Sequence, residues 1–149
     1  MRRRLHSPRY TIFVDASFNG DEDLTGIGMA IHCAAIAGRN GEIVDRIAEG
    51  HLNIVHSQGE AFGILRALEL SRERGYRIIR VRCDYNSLRR SLKEDHQKGR
   101  VSRHSAYYAD ILEIARSFDE VKFGYVPRRK NQNAHRLSRL AAKHDAQNT

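Results

Sequence analysis

Three strand-like segments separated by short turns occupy residues 10–53, and this arrangement restricts the possible folds more than any other feature. The segment YTIFVDASF (10–18) is rich in β-branched and aromatic residues, GIGMAIHCAA (26–35) follows a turn, and a third segment covers residues 42–53. Turn residues fill the two gaps, NGDED at 19–23 and GRNG at 38–41. Connections this short predict a three-stranded antiparallel meander.

Helical and strand patterns alternate after residue 53. Ser57 and Glu60 have capping-box spacing, which predicts a helix from Ser57 that ends at Gly75. The later segments are a buried-type strand at 77–83, a helix at 86–93, a basic loop at 96–104, a helix at 105–118, a strand at 121–126 and a helix at 132–143. A meander followed by crossovers predicts an α/β fold, a mixed sheet with helices packed against it.

The length of 149 residues predicts a single domain, over 10–144, with a basic tail at 1–9 and a short tail at 145–149. No apolar run approaches the roughly 20 residues of a membrane helix, and no apolar segment follows MRRRLHSPRY to make a secretory signal. The two cysteines, Cys33 and Cys83, lack metal-ligand spacing. We therefore expect a reduced, cytoplasmic protein that does not contact a membrane.

The formal net charge of +8 is concentrated in clusters. Four arginines lie in the first ten residues, and two further clusters follow at 98–103 (Lys98, Arg100, Arg103) and 128–130 (Arg128, Arg129, Lys130). Any one cluster is typical of a solvated loop or tail. Together they favour a polyanionic partner such as nucleic acid.

Three carboxylates lie inside or at the ends of the predicted strands and helices, where they could approach one another. Asp15 lies within IFVDASF, where an unpaired carboxylate is expensive to bury, and Asp84 directly follows the strand RIIRVRC. Glu60 lies in the first turn of the predicted helix. Asp84 could instead cap the following helix, and Glu60 could belong only to a capping box. If the three converge, their hard oxygen ligands suit Mg²⁺ or Mn²⁺, as in a phosphoryl-transfer or nuclease centre.

Four segments in this order resemble the ribonuclease H family, in particular its reverse-transcriptase-like branch. They are TIFVDASFNG followed by GIGMAI, SQGEAFGILRALELS, VRCDYNSLRRSL, and YVPRRKNQNAHRLSRLAA, and the resemblance covers about residues 10–144. It implies a ribonuclease H-like fold: a five-stranded mixed sheet of three antiparallel and two parallel strands, with helices on both faces. It also implies that Asp15, Glu60 and Asp84 bind metal.

The fourth acid of that family is replaced here. The family pattern Asn-x-x-Ala-Asp reads Asn131-Gln132-Asn133-Ala134-His135, so His135 stands at the acidic position. It could bind metal, shuttle a proton, or lie beside an inactive site, and as a ligand it would prefer softer ions than Mg²⁺.

The resemblance implies an endonuclease that hydrolyses the RNA strand of RNA–DNA hybrids with two Mg²⁺ or Mn²⁺ ions roughly 4 Å apart. Asp15 would bridge both ions, Asp84 and His135 would share one, and Glu60 would hold the other near the 2′-hydroxyl. Products would carry 5′-phosphate and 3′-hydroxyl ends. No small-molecule cofactor is expected, and the oligomeric state stays open.

The basic, tryptophan-containing protrusion of the bacterial enzymes is missing, as is the glycine-histidine loop before the last helix. We expect other groups to grip the hybrid: Phe18, Asn19, Ser57, Gln58, Lys98, Arg100, Arg103, Arg128 and Asn131. Arg128 and Asn131 could instead serve only to set the last helix.

Two other functions stay open. A nuclease of the same fold could act on other nucleic acids, as junction resolvases do, because fold alone does not fix function. A non-catalytic module that binds hybrids or double-stranded RNA is compatible with His135.

Overall fold

The computed structural model describes residues 4–36 and 41–143, which form one five-stranded mixed sheet with helices on both faces. The strand order is β3-β2-β1-β4-β5, antiparallel among β1 to β3 and parallel from β1 through β4 to β5. The strands are β1 Arg4–Asn19, β2 Leu24–Ile36, β3 Glu42–Leu52, β4 Ile78–Cys83 and β5 Glu120–Tyr125; the helices are α1 Gly59–Glu73, α2 Asn86–Lys98, α3 Tyr108–Ala115 and α4 Gln132–Ala142. The predicted meander and the two parallel strands are confirmed.

The first strand begins earlier than predicted, at Arg4 instead of Tyr10. Arg4 pairs with Ile36 and Arg9 with Ala34, and the register shifts between these two pairs. Pro8 lies in the shifted stretch, where its missing N–H removes a ladder hydrogen bond. The predicted tail residues 1–3 and 145–149, and residues 38–40 of the second turn, lie outside the described residues.

The predicted ends of α2 and α3 are wrong. Helix α2 continues to Lys98, because Leu88, Leu92 and the buried Asp95 keep one face inward, and it stops at Gly99 in a left-handed conformation (φ 65°). Helix α3 starts only at Tyr108, since Tyr107 before it is left-handed (φ 71°).

The core lies between the sheet and α1, α2 and α3, whereas α4 covers part of the opposite face. Ile12 and Val14 of β1 pack into this core with Ile64 and Leu68 of α1. The residues 77–83 were predicted as a buried-type strand, but in β4 only alternate residues are buried: Arg80 and Arg82 are half-buried on the side away from α1. Among the described residues no helix has the length and apolarity to cross a membrane.

Candidate active site

Two parallel strands bring Asp15 and Asp84 to the same level of the sheet. Phe13 pairs with Arg82 in the last described step of the β1–β4 ladder, so each aspartate lies two residues beyond that pair. Asp84 follows Cys83, the last residue of β4, at the carboxyl end of the parallel strands. This edge is where open α/β sheets place their ligand sites. The sequence-based placement of the two aspartates is therefore reproduced.

Asp15 is 7% exposed and is paired with His135. Its Oδ2 lies 2.7 Å from Nδ1 of His135. An ionised carboxylate only accepts hydrogen bonds, so Nδ1 is the donor and Nε2 is left as the basic nitrogen. Burial raises the pKa of Asp15 and the negative charge of Asp84 adds to the rise, against the hydrogen bonds from His135 and the Ala16 amide.

Glu60 lies in the first turn of α1, close enough to the two aspartates for their charges to act on its carboxylate. Burial raises its pKa, its own backbone amide opposes the rise, and the charges of Asp15 and Asp84 add to it, while Arg128 lowers it. The predicted capping box is wrong, because α1 is preceded by Gln58 as its N-cap residue and has no side-chain cap. Glu60 therefore does not form a capping box with Ser57.

Close packing of α4 on β2 sets the position of His135. A Cβ added at Gly28 would meet Ala134 O at 2.1 Å, and one at Gly26 would meet Ser138 O at 2.1 Å. A side-chain hydrogen bond also joins α4 to β1, since the hydroxyls of Ser17 and Ser138 lie 2.7 Å apart. The glycines of the GIG segment let the helix backbone rest on the strand, which holds the imidazole against Asp15.

The carboxylate cluster fits a divalent cation. Asp84 Oδ2 is buried and has no hydrogen-bond partner among the described residues, while neighbouring charges of one sign raise the pKa of both Asp15 and Glu60. A cation bound to these oxygens would supply the missing partner and relieve the repulsion. Within the described residues no group of three or more His, Cys, Asp or Glu side chains is already gathered as a metal site.

Two clefts flank the carboxylates and contain most of the predicted nucleic-acid contacts. The first, about 380 Å³, joins Glu60 to Ser57, Gln58 and Arg103, as predicted, and to Tyr85. The second, about 560 Å³, lies between the β1–β2 turn and α4. It is lined by the predicted Phe18, Asn19 and Arg128 and by Arg139 and Lys143.

Three of the predicted contacts are placed elsewhere. Lys98 and Arg100 form ion pairs with Glu94 at 2.8 and 2.9 Å, and Arg100 also pairs with Asp95. They lie at the end of α2 remote from Asp84, about 18 Å along a helix of this length. Asn131 is 1% exposed, and its side-chain amide donates to Val14 O at 3.1 Å. Asn131 therefore anchors α4 to β1, and the prediction that it contacts nucleic acid is wrong.

Three residues that line the clefts were not predicted from the sequence: Tyr85, Arg139 and Lys143. Arg139 and Lys143 stand four and eight residues after His135, which places them on one face of the last helix and its end. That spacing was the available signal. Tyr85 is 44% exposed and directly follows Asp84, and no pattern in the sequence singles it out.

Comparison with known proteins finds similarity at two levels. The reverse transcriptase-like family matches residues 13–141. A search of curated proteins finds no match. Among solved structures, the N-terminal ribonuclease H domain of a Mycobacterium tuberculosis protein is 18% identical with a TM-score of 0.69, covering 95% of this chain and 99% of its own.

Two further structures are similarly close. Ribonuclease H1 of the archaeon Halobacterium salinarum is 20% identical (TM-score 0.66; 89% of this chain, 96% of that one). LC11 ribonuclease H1, isolated from compost and solved in complex with an RNA/DNA hybrid, is also 20% identical (TM-score 0.68; 94% and 99%). At this identity the likeness establishes the fold.

Proposed function

The chain belongs to the reverse transcriptase-like branch of the ribonuclease H family, and we propose that it is a metal-dependent endoribonuclease acting on RNA–DNA hybrids. The observation that carries the proposal is the cluster of Asp15, Glu60 and Asp84, in which the carboxylates perturb one another and one oxygen has no partner. The hybrid bound by LC11 ribonuclease H1 supports the substrate class.

Asp15, Glu60 and Asp84 would hold two Mg²⁺ or Mn²⁺ ions. When bound, such ions lower the pKa of an attacking water and stabilise the departing 3′ oxygen. Asp15 presents a carboxylate that is oriented by His135 and excluded from bulk water. Excluding water strengthens each charge interaction at the site.

His135 would handle a proton. Its Nδ1 is engaged by Asp15, so a proton can be taken up or released only at Nε2. The same nitrogen is the one available to an ion, where its softer character favours Mn²⁺ over Mg²⁺.

The cleft beside Glu60 would bind the RNA strand and recognise its 2′-hydroxyl groups. Ser57 and Gln58 supply polar groups next to Glu60, and Arg103 lies across the cleft. A 2′-hydroxyl both donates and accepts hydrogen bonds, so such groups distinguish ribose from deoxyribose. Arg128, Arg139 and Lys143 on the other side of the carboxylates would contact backbone phosphates.

The test is cleavage of an end-labelled RNA–DNA hybrid with Mg²⁺ and separately with Mn²⁺. Matching RNA duplex, DNA duplex and single strands are assayed in parallel. We expect metal-dependent cutting of the hybrid's RNA strand that leaves 5′-phosphates, abolished in Asp15→Asn and retained in Asp110→Asn, an exposed carboxylate of α3.

Two results would lead to the other functions. Hybrid binding without cutting in either ion contradicts the enzyme and leaves a binding module. Cutting of duplex RNA or branched DNA in place of the hybrid retains the carboxylate site and overturns the substrate.

A further inference from the structure

One half of a sheet face carries no helix in the part of the chain that is described. Helix α4 and the residue before it contact β1 only from Val14 onward. Three hydrogen bonds mark this contact: Asn131 with Val14, His135 with Asp15, and Asn19 with Ala142. Helices α1 and α2 pack on the other face, against residues such as Val14 and Phe123. On the face that carries α4, the part of the sheet that precedes Val14 along β1 is therefore not covered by a helix among the described residues.

Strand alternation decides which side chains point to this open face. On β1 they are Arg9, Thr11 and Phe13, since Ile12 and Val14 point to the core. The ladder pairs Thr11 with Arg80 and Phe13 with Arg82. Toward β5, Arg80 pairs with Lys122. Toward β2 and β3, Thr11 pairs with His32, and Phe13 pairs with Ala30, which in turn pairs with Arg46. We call this surface the open face.

The open face is strongly cationic. It carries Arg9, Arg46, Arg80, Arg82 and Lys122. Its one carboxylate on the three strands β1, β4 and β5 is Glu120, which lies 2.8 Å from Arg9 and 3.9 Å from Lys122. Arg80 and Lys122 stand opposite each other across the parallel β4–β5 ladder.

Aromatic rings lie among these cations. The Phe13 and His32 rings meet edge to face with centroids 5.2 Å apart, and the Arg82 guanidinium lies 5.4 Å from the Phe13 centroid. Arg82 reaches across the sheet to donate to Tyr125 O. Gly124 beside it leaves the space for this, because a Cβ there would meet Arg82 Cγ at 3.3 Å.

From this arrangement we infer that the open face binds single-stranded nucleic acid. Unpaired strands are held by cations that follow the phosphates together with aromatic rings on which bases stack, and this sheet presents both on one face. A duplex keeps its bases stacked inside and would not use Phe13. An acidic peptide would use the cations and not the rings.

The dimensions suit a short strand. From Arg46 on β3 to Lys122 on β5 the face spans four inter-strand spacings, about 19 Å. Phe13 precedes Asp15 by two residues, about 7 Å along the strand. The strand would lie next to the carboxylate cluster, but its binding does not depend on cleavage.

The test measures binding with cleavage removed. Fluorescein-labelled U12 and dT12 are titrated with the Asp15→Asn chain in EDTA, with anisotropy as the readout at several salt concentrations. Replacing Arg80, Arg82 and Lys122 by Gln in that background should lower the affinity at least tenfold. The slope of log K against log salt should fall by about 2, the value for three lost phosphate contacts on a single strand.

A charge-matched control separates this face from net charge. Replacing Arg72, Lys93 and Arg116 by Gln removes three exposed cations from α1, α2 and the end of α3, and should leave the affinity within twofold. Phe13→Leu should lower the affinity about fivefold or more without changing the salt slope, because it removes stacking and no charge. Arg46→Glu with Lys122→Glu, both on exposed side chains, tests the face without disturbing Arg82.

Equal loss in the control triple, or unchanged binding in both open-face variants, overturns the inference. Displacement of U12 by polyglutamate at equal charge concentration also overturns it, as does tighter binding of a duplex that depends on these same residues. A chain that fails to cut hybrids yet binds U12 through these residues would contradict the proposed function and support the open face.

Discussion

Asp15 and His135 are 120 positions apart in the chain, and their side chains meet at 2.7 Å. The contact joins β1 to α4 at the edge where Asp84 leaves β4. The imidazole thus does in part what a cation would do, since it offsets the charge of a buried carboxylate. A site with three carboxylates and this histidine carries one negative charge fewer than a site with four acids.

Asp15→Asn should abolish cleavage and stabilise the fold. The substitution removes a buried charge that Asp84 and Glu60 repel, and we expect the melting temperature to rise by about 2–4 °C, the shift that ~1 kcal/mol produces in a chain of this size. The pH dependence has a definite sign. Because the folded pKa of Asp15 is raised above its ordinary value of 3.8, wild-type stability falls as pH rises through the folded pKa.

The measurement is thermal unfolding of both proteins between pH 4 and pH 7. The advantage of Asp15→Asn should grow as the pH rises over this range. A mutant that melts below wild type at pH 7 would show that the bond to His135 outweighs the repulsion. Asp110→Asn serves as the control and should follow wild type throughout.

His135 should determine which ion supports cleavage. We expect wild type to cut faster with Mn²⁺ than with Mg²⁺, because imidazole is a softer ligand than carboxylate. His135→Asp should raise the Mg²⁺ rate relative to the Mn²⁺ rate by about tenfold, and single-turnover cleavage in each ion measures the ratio. An unchanged ratio would mean that His135 does not touch the ion, and loss of cleavage in His135→Asn would then assign it to proton transfer.

The antiparallel meander, Asp15 within a strand and Asp84 at a strand end were accessible from the sequence because each depends on local signals. Short turns, alternating residues and an aspartate within an apolar strand are visible in a few neighbouring residues. The end of α2 could not be predicted in this way. In the sequence Asp95 is typical of a solvated acid, and only the fold shows that Ser102 and Tyr108 bury it and donate hydrogen bonds to it. The sequence also left two roles open for Asn131, contact with nucleic acid or setting the last helix, because its partner Val14 lies 117 positions away.

The open face could not be predicted from the sequence for a different reason. The alternation of Arg80 and Arg82 with Ile79 and Val81 is present in RIIRVRC, but the apolar residues of this segment predict a buried-type strand without showing what the arginines face. Only the register with β1 and β5 shows that one side of β4 carries the cations.

Gly28→Ala should destabilise the protein by about 3 kcal/mol, at the upper end of overpacking costs. The added Cβ would meet Ala134 O at 2.1 Å and Ser138 N at 2.3 Å, so α4 must move away from β2. Gly75→Ala is the matched control, because Gly75 has a left-handed backbone (φ 74°) and no atom within 4 Å of the added Cβ. It should cost only about 1 kcal/mol.

Urea unfolding of the two glycine variants measures the difference. In Gly28→Ala, cleavage should fall more than stability explains, since His135 moves with α4. Equal destabilisation by both substitutions would show that the close approach of α4 is not required.

Asp95→Asn should loosen the loop that carries Arg103 into the cleft with Glu60. Asp95 is 1% exposed and accepts hydrogen bonds from Arg100, Ser102 and Tyr108. Burial alone would raise its pKa, but these donors hold the pKa well below the usual range. Replacing the Asp95 carboxylate by an amide leaves the donor groups of Arg100, Ser102 and Tyr108 without a fully accepting partner. We expect this to lower the free energy of unfolding by about 2–3 kcal/mol.

The sign of the pH effect is opposite to that at Asp15. The stability that Asp95 contributes is present above its ordinary pKa of 3.8 and is lost as pH falls toward the lowered folded value. Urea unfolding should therefore show the gap between wild type and Asp95→Asn at pH 7 and a smaller gap below pH 3.8. At pH 7 and at urea concentrations below the unfolding transition, hybrid cleavage by Asp95→Asn should show a higher KM with little change in kcat. The reason is that Arg103 is proposed to contact the substrate, whereas Asp95 only positions the loop. A large fall in kcat at unchanged KM would contradict this role.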